Sequence, residues 1–342
     1  MAINMLIFEI KEAERKYFET NTFCDYNINF YEECLDIDFI KNLSEDTLEK
    51  TNVISIFNNS TITKELLEKF KNLRVLSVRA AGLDNICLSS CEDKNIAVVN
   101  IQDFGAQSIA EYTIGLMISL IRNIIPANNF IKSNNQYRGG FLGRDLANMT
   151  LGVAGTGLTG AIVCKIAYSL GMKIIAYDSY KKQELIEKYN VEYLNFDDFI
   201  SHSDIITVHM NYASENYHLF NDEVFSKCKD NMYFINTSKA EIADITALQK
   251  YLDNGKIIGA ALDTSPCESI CYNCINLSDK LKPSHLECMT QAEFIEKFKN
   301  YDNVIVTPCI AYATTDAIHN NINQTMINIK KALNGDKMCR VV

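Results

Sequence analysis

One segment, residues 150–178, decides what kind of fold this chain can adopt: TLGVAGTGLTGAIVCKIAYSLGMKIIAYD. A short apolar run leads into a G-x-G-x-x-G motif at residues 155–160, a helical stretch follows, and a second apolar run ends at Asp178. Apolar runs of strand length on either side of a helix predict a βαβ unit with parallel strands. This context makes the motif specific, because G-x-G-x-x-G alone is weak evidence.

The three glycines predict a dinucleotide site at this turn. Gly155 permits a tight turn, Gly157 lets the backbone approach a pyrophosphate, and Gly160 allows the helix to pack closely on the strand. The N-terminus of the helix favours the negative charge of phosphate groups. Asp178, 21 residues after Gly157 (178 − 157), is placed to accept hydrogen bonds from both ribose hydroxyls.

The residues around Asp178 predict which dinucleotide is bound. A carboxylate at this place would repel the 2′-phosphate that distinguishes NADP from NAD. No arginine follows Asp178, although Lys181 and Lys182 leave a little room for NADP. NAD is therefore the expected cofactor.

The order of apolar and helical segments predicts two α/β domains. A chain of 342 residues is long enough for two. Strand-like runs alternate with helical segments in the first third of the chain, and the alternation restarts at Leu151. Between them, residues 107–124, QSIAEYTIGLMISLIRNI, contain no helix breaker except Gly115 and predict one long helix. The expected fold class is α/β, with two Rossmann-like, doubly wound parallel sheets.

Charge and hydropathy weigh against several classes of partner. The formal net charge of -10 argues against binding to nucleic acid or to an anionic membrane surface. The most apolar helix candidate, residues 112–121, is far shorter than the roughly 20 residues that span a bilayer. The N-terminus, MAINMLIFEIKEAERKYFE, lacks the basic start of a signal peptide. A cytoplasmic protein with no nucleic-acid or membrane partner is expected.

Twelve cysteines raise the question of a metal site. Cys267, Cys271 and Cys274 lie in the stretch CESICYNC, and their C-x3-C-x2-C spacing can hold a zinc ion or an iron–sulfur cluster, with Cys288 and Cys309 as further candidate ligands. Reduced thiols that pack as small apolar side chains are commoner in a cytosolic chain. No metal is therefore predicted.

Five segments in this order resemble the D-isomer-specific 2-hydroxyacid dehydrogenases, and the resemblance covers essentially the whole chain. It is strongest to the branch that contains D-lactate dehydrogenase and 2-hydroxyisocaproate dehydrogenase. The segments are VRAAGLDNI (78–86), SIAEYTIGLM (108–117), LGRDLANMTLGVAGTGLTG (142–160), FINTSKAEIADITALQKYLDNGKIIGAALDTSPCE (234–268) and NVIVTPCIAYATTDAI (303–318).

The resemblance implies a domain arrangement and an oligomeric state. An NAD-binding Rossmann domain, residues 105–307, would be inserted into a flavodoxin-like substrate domain formed by residues 1–104 and 308–342. Members of the family usually pair as homodimers through the nucleotide domain, with the helix near residues 108–122 at the contact. A homodimer is therefore expected here.

The resemblance also implies NAD-dependent oxidation and reduction of 2-hydroxy and 2-keto acids. The family uses an Arg to bind the substrate carboxylate, a His to protonate the carbonyl oxygen, and a Glu that hydrogen-bonds that His. The corresponding residues of this chain are Lys239 in INTSK, Cys309 in TPCIAY and Glu268 in LDTSPCE. One of the three matches.

Further contacts follow from the same resemblance. Ala81 and Gly82 match the backbone-amide cradle for the substrate carboxylate, and Phe104 stands where the lactate branch often has Tyr. The residues expected to contact NAD lie in the glycine turn and after four later strands: Gly155, Thr156, Gly157, Leu158, Thr159, Gly160, Asp178, His209, Met210, Asn211, Thr237, Ser238 and Asp263.

Two functions remain open after these substitutions. Lys239 keeps a positive charge but cannot make the paired hydrogen bonds of a guanidinium. The thiol of Cys309 is a weak donor, since an ordinary cysteine pKa is about 8.5. The first hypothesis is an oxidoreductase with slow turnover or altered substrate specificity. In this enzyme Lys239 would bind the substrate carboxylate or donate the proton. The second is a non-catalytic NAD(H)-binding paralogue with a regulatory or redox-sensing role.

Overall fold

The chain folds into two compact units with parallel sheets, which confirms the predicted fold class. One unit contains Met1–Gly105 and Ala313–Val342, and the other contains Ala106–Tyr312. The computed structural model describes residues 2–21, 23–83, 85–102, 105–133, 140–263, 296–336 and 340–341.

The first unit is built on a five-stranded parallel sheet with the strand order β2-β1-β3-β4-β5. Its inner strands are buried on both faces, which is why their sequences are continuous apolar runs. The strands are β1 Ile3–Ile7, β2 Tyr26–Phe30, β3 Val53–Ile56, β4 Val75–Val78 and β5 Ala97–Asn100. The helices are α1 Glu12–Thr20, α2 Glu45–Lys50, α3 Lys64–Leu67, α4 Leu88–Asp93 and a C-terminal helix Thr315–Leu333.

The second unit has a seven-stranded parallel sheet with the order β12-β11-β10-β9-β6-β7-β8. Its strands are β6 Thr150–Ala154, β7 Lys173–Tyr177, β8 Glu192–Tyr193, β9 Ile205–Val208, β10 Met232–Asn236, β11 Ile257–Leu262 and β12 Val304–Val306. Its helices are α5 Ala106–Ile121, α6 Ile124–Lys132, α7 Leu158–Ser169, α8 Gln183–Tyr189, α9 Phe196–His202, α10 Asp222–Lys227 and α11 Ile245–Asp253.

Apolar side chains cover both faces of the second sheet. Successive residues of one strand, such as Val153 and Ala154, belong to two different apolar clusters. Neighbouring side chains of a strand point to opposite faces, so each cluster lies on one side of the sheet. Helices α5 and α7 contribute to one cluster, and α9, α10 and α11 contribute to the other.

The prediction of one helix over residues 107–124 is wrong at its C-terminal end. Helix α5 ends at Ile121, and Asn123 adopts a left-handed conformation with φ +52° before α6 begins. Asparagine reaches this region more readily than other non-glycine residues, because its short polar side chain can hydrogen-bond locally. The two helices meet at a bend of 64°.

No single helix within the described residues is long and apolar enough to cross a bilayer. By length and composition alone, the bent pair α5 and α6 passes the same test together.

The boundary between the units lies after Tyr312, five residues beyond the predicted 307 (312 − 307). The intervening residues remain with the second unit because Asp263, at the end of β11, accepts backbone hydrogen bonds from Ile310 and Ala311. The loop after β12 is thereby held against the sheet that carries it.

Candidate active site

The carboxyl ends of six strands in the second unit carry the predicted cofactor and catalytic loops. All strand pairs in this sheet are parallel, so these ends lie along one edge. The strand order reverses between the neighbours β6 and β9, the point at which open α/β sheets bind ligands. The residues that follow β6, β7, β9, β10, β11 and β12 are Gly155, Asp178, His209, Thr237, Asp263 and Thr307.

The glycine turn between β6 and α7 is closely packed at two of its glycines and open at the third. Gly155 has φ +89°, and a Cβ there would lie 2.8 Å from the carbonyl oxygen of His209. A Cβ on Gly160 would collide with the carbonyl oxygen of Gly155. At Gly157, which directly precedes α7, a Cβ would meet no atom within 4 Å. The open side of the turn therefore faces the helix N-terminus, where phosphate groups are favoured.

Asp178 is held against this turn by several donors. Its Oδ2 accepts hydrogen bonds from the backbone N–H of Thr156 at 2.6 Å and from Thr156 Oγ at 3.0 Å. Its Oδ1 accepts one from the N–H of Tyr180 at 2.9 Å. Partial burial raises the pKa of Asp178, but the hydrogen bonds from Tyr180 and Thr156 outweigh it and hold the pKa below its usual value. The carboxylate is therefore ionised near neutral pH.

His209 packs beside the turn as a neutral imidazole. Its backbone N–H donates to Ala154 at 2.7 Å, and its Nε2 lies 2.9 Å from Thr207 Oγ. Burial lowers the pKa of His209 to about 3, because desolvation disfavours the charged form. The next residue, Met210, accepts a 2.6 Å hydrogen bond on its carbonyl from Ser238 Oγ, which joins the loops after β9 and β10.

Asn236 shapes the loop that carries Lys239. Its buried amide accepts from the N–H of Ser238 at 2.9 Å and donates to the carbonyl of Lys239 at 3.1 Å. Thr237 Oγ lies 2.9 Å from Thr113 Oγ on α5. The Lys239 side chain is exposed, and it forms no hydrogen bond or ion pair with any residue in the described part of the chain. The loop backbone is fixed while its ammonium group remains accessible.

Asp263 shapes the loop that carries Cys309. Its buried carboxylate accepts hydrogen bonds from Thr307 Oγ, from Ile310 N at 3.1 Å and from Ala311 N at 2.7 Å. Within the loop, the N–H of Cys309 donates to the Thr307 carbonyl at 3.0 Å, and Cys309 has φ +51°. The half-buried thiol is thus carried by a tightly bound turn.

A family model described as "D-isomer specific 2-hydroxyacid dehydrogenase, NAD binding domain" matches residues 114–311. The chain belongs to this family. Its members are NAD-dependent oxidoreductases, so the predicted family, cofactor and enzyme class are confirmed. The matched region contains the glycine turn, Asp178 and the loops of Lys239 and Cys309.

Individual relatives agree with this assignment. The aromatic 2-oxoacid reductase of Clostridium sporogenes is 34% identical over 281 residues, which are 81% of this chain and 82% of the relative. A 2-hydroxyacid dehydrogenase homolog of Haemophilus influenzae is 31% identical over 341 residues, 98% of each chain. The D-lactate dehydrogenase of Aquifex aeolicus, solved with NAD and lactic acid, has a TM-score of 0.84, 29% identity and 99% coverage of both chains.

In this dehydrogenase, Ala81 and Gly82 belong to the first unit, in the loop after β4. Both residues are exposed, and the Ala81 carbonyl accepts a hydrogen bond from Asn100 Nδ2 at 2.9 Å.

Arg79, which begins the same loop, was not among the residues predicted from the sequence. Arg79 is 0% exposed and donates from Nη2 to the Phe8 carbonyl at 2.8 Å. The sequence feature that could have indicated its burial is an arginine directly after the apolar run of β4.

Two predicted site residues and the cysteine stretch lie outside the described residues. These are Glu268, Phe104 and the CESICYNC segment that contains Cys267, Cys271 and Cys274. In the described part of the chain, no group of three or more His, Cys, Asp or Glu side chains is arranged to hold a metal ion.

Proposed function

We propose that this dehydrogenase reduces a 2-keto acid to the D-2-hydroxy acid with NADH, using an altered active site. The observation that carries the proposal is the placement of Lys239 and Cys309. Each follows a strand at the carboxyl edge of the NAD-binding sheet, on a loop fixed by one buried polar residue, Asn236 or Asp263. Both loops leave the same edge of the sheet as the glycine turn, so their side chains would be available to a substrate bound beside the cofactor.

The cofactor would be held by residues of this chain in a defined way. The open turn at Gly157 would receive the pyrophosphate, and Asp178 would accept a hydrogen bond from the adenosine ribose. The neutral His209 and the loop after β10 would border the nicotinamide half of the molecule. NADH, when bound, supplies the hydride.

Lys239 would recognise the substrate. Its accessible ammonium attracts a carboxylate as a point charge, but it lacks the planar fork with which a guanidinium fixes the orientation of the substrate. The same ammonium group is also the candidate proton donor to the carbonyl oxygen. Attraction is therefore retained more fully than orientation.

Cys309 would lie beside the reacting carbonyl. A thiol can donate only a weak hydrogen bond, and it carries no positive charge to offset the developing alkoxide. Glu268, which the family resemblance assigns to the same chemistry, lies outside the described residues. The expected consequence is slow turnover or a changed substrate preference.

A second function, a non-catalytic NAD(H)-binding protein with a regulatory or redox-sensing role, is favoured by one contrast. The turn and Asp178 keep the features that bind a dinucleotide, while two of the three expected catalytic residues differ. Under this alternative the protein binds NADH without consuming it.

NADH consumption with a panel of 2-keto acids separates the two functions. The panel contains pyruvate, a branched 2-keto acid and phenylpyruvate, because the relatives include a D-lactate dehydrogenase and an aromatic 2-oxoacid reductase. We expect turnover of at least one acid, with a product of D configuration. NADH binding without consumption of NADH across the panel would favour the regulatory alternative.

We also propose that the second unit pairs with a second copy of the chain. Four apolar side chains on or near α6 are exposed, and a group of exposed apolar side chains can mark a protein–protein contact. They are Ile124 at 48%, Ile125 at 39%, Ile131 at 59% and Leu142 at 95%. Sedimentation analysis of the wild type should show a dimer. The Ile131→Lys substitution should weaken that dimer. A wild-type monomer at micromolar concentration would contradict this proposal.

A further inference from the structure

A row of polar groups connects Asp178 to the edge of the NAD-binding sheet. The backbone N–H of Lys182 donates to the hydroxyl of Tyr193 at 3.1 Å. That hydroxyl lies 2.9 Å from Thr156 Oγ, which in turn lies 3.0 Å from Asp178 Oδ2. Tyr193 stands in β8, whose two residues pair with Ile175 and Ala176 of β7. The short edge strand thus brings a hydroxyl across to the glycine turn.

The direction of each hydrogen bond in this row is fixed. An ionised carboxylate can only accept, so the single proton of the Thr156 hydroxyl points to Asp178. Thr156 Oγ must then accept from the Tyr193 hydroxyl, whose own oxygen accepts from the Lys182 N–H. Three donors therefore point in sequence towards the carboxylate, and hydrogen bonds aligned in this way strengthen one another.

The two carboxylate oxygens of Asp178 differ in their capacity to accept a further hydrogen bond. Oδ2 already accepts from both the N–H and the hydroxyl of Thr156. Oδ1 accepts from the Tyr180 N–H at 2.9 Å and from Ser179 Oγ at 3.5 Å, the limit of a hydrogen bond. Ser179 is exposed, so its hydroxyl can turn to water at little cost. A further donor can therefore bind at Oδ1 and not at Oδ2.

We propose that Tyr193 is a positioning residue for Asp178, acting through Thr156, and that Asp178 meets the adenosine ribose of NAD with Oδ1 alone. This inference rests on the proposed placement of NAD at the glycine turn. Tyr193 touches no cofactor atom itself. Its hydroxyl keeps the Thr156 proton directed at Oδ2, which fixes the plane of the carboxylate and the position of Oδ1.

The same segment is tied to the turn a second time. Lys182 Nζ donates to the carbonyl of Gly157 at 2.7 Å. Lys182 is therefore held twice, by its ammonium group on the turn and by its backbone N–H on Tyr193. Removal of one hydroxyl should loosen the carboxylate without unfolding the segment.

Binding of NADH and NADPH to hydroxyl variants tests the inference. We expect Tyr193→Phe and Thr156→Val to weaken NADH binding by about 3- to 10-fold, the range of one net hydrogen bond. Thr156→Ser, which keeps the hydroxyl, should weaken NADH binding less than Thr156→Val does. NADPH gains no hydrogen bond from Asp178, so the ratio of the NADPH to the NADH dissociation constant should fall in the two weakened variants.

Tyr189→Phe is the matched control. Tyr189 lies at the end of α8 in the same unit, and its hydroxyl has no hydrogen bond to any residue that the structure describes. We expect it to bind both dinucleotides as the wild type does, and all variants are compared by circular dichroism to establish folding. If Tyr193→Phe does not fold, the Thr156→Val and Thr156→Ser pair still tests whether the hydroxyl row through Thr156 positions Asp178.

Three outcomes overturn the inference. If Tyr193→Phe binds NADH as tightly as the wild type, the row of hydrogen bonds does not position Asp178. Equal weakening of NADH binding by Thr156→Ser and Thr156→Val would show the same. Both results would leave the proposed function intact. Absence of NADH binding by the wild type would overturn the proposed cofactor site and the inference together.

Discussion

A chain that carries both Cys309→His and Lys239→Arg should reduce 2-keto acids about 10²–10⁴-fold faster than the wild type. That range is what a positioned general acid contributes to a reaction of this kind. The imidazolium would place a proton and a positive charge beside the developing alkoxide. The guanidinium would add the paired hydrogen bonds that orient the substrate carboxylate.

The local structure can accept both substitutions. Cys309 has φ +51°, and histidine is among the non-glycine residues that adopt this region most readily. The surrounding loop is held by Asp263 through backbone groups, which a new side chain leaves in place. Lys239 is exposed, so the longer arginine meets no packed core.

Steady-state rates of the wild type, both single variants and the double variant measure this prediction. Cys309→Ser is the matched control, because it removes the thiol without adding an imidazole, and it should give no increase. A double variant that folds and binds NADH but gains no activity would contradict the assignment of these two positions to catalysis.

Replacement of Arg79 by Met should lower the free energy of unfolding by about 3–5 kcal/mol, the usual effect of removing one partner of a buried charge pair. The Arg79 guanidinium is completely buried. It donates to Ser55 Oγ at 3.1 Å and to the Phe8 carbonyl at 2.8 Å, and its Nε lies 3.4 Å from Glu14, whose side chain is only 12% exposed. The variant would leave Ser55 Oγ and the Phe8 carbonyl without this donor, and Glu14 without its opposite charge.

Urea denaturation of the whole chain measures the effect. Arg74→Met is the control, since Arg74 is exposed and its guanidinium donates to the carbonyl of Leu333. Adding Glu14→Leu to Arg79→Met should recover part of the loss, because the unpaired carboxylate is then removed too. Equal stability of the Arg79→Met and Arg74→Met variants would show that the buried pair contributes nothing.

The features that the sequence predicts well are local ones. Gly155, Gly160 and Asp178 lie within one βαβ unit, where each residue has a role fixed by turn geometry and strand length. The break after α5 is local too, but Asn123 can occupy either a helix or a left-handed turn, so its conformation follows from the packing of α5 and α6.

The features that the sequence could not predict depend on residues far apart in the chain. Asp263 and Ala311 are separated by 48 positions, and Thr156 and Tyr193 by 37. No periodic pattern reports which distant hydroxyl or amide reaches a given carboxylate, because that depends on strand order in the folded sheet. The role of Asp263 in shaping the Cys309 loop and the hydroxyl row behind Asp178 are therefore visible only in the structure.

The measurement that tests the catalytic role of this edge most directly is NADH consumption by Lys239→Ala, with the best 2-keto acid of the panel and with NADH affinity measured alongside. We predict that turnover is lost while the dissociation constant for NADH stays within about twofold of the wild-type value, less than the effect of one hydrogen bond. Wild-type turnover in the Lys239→Ala variant would contradict it.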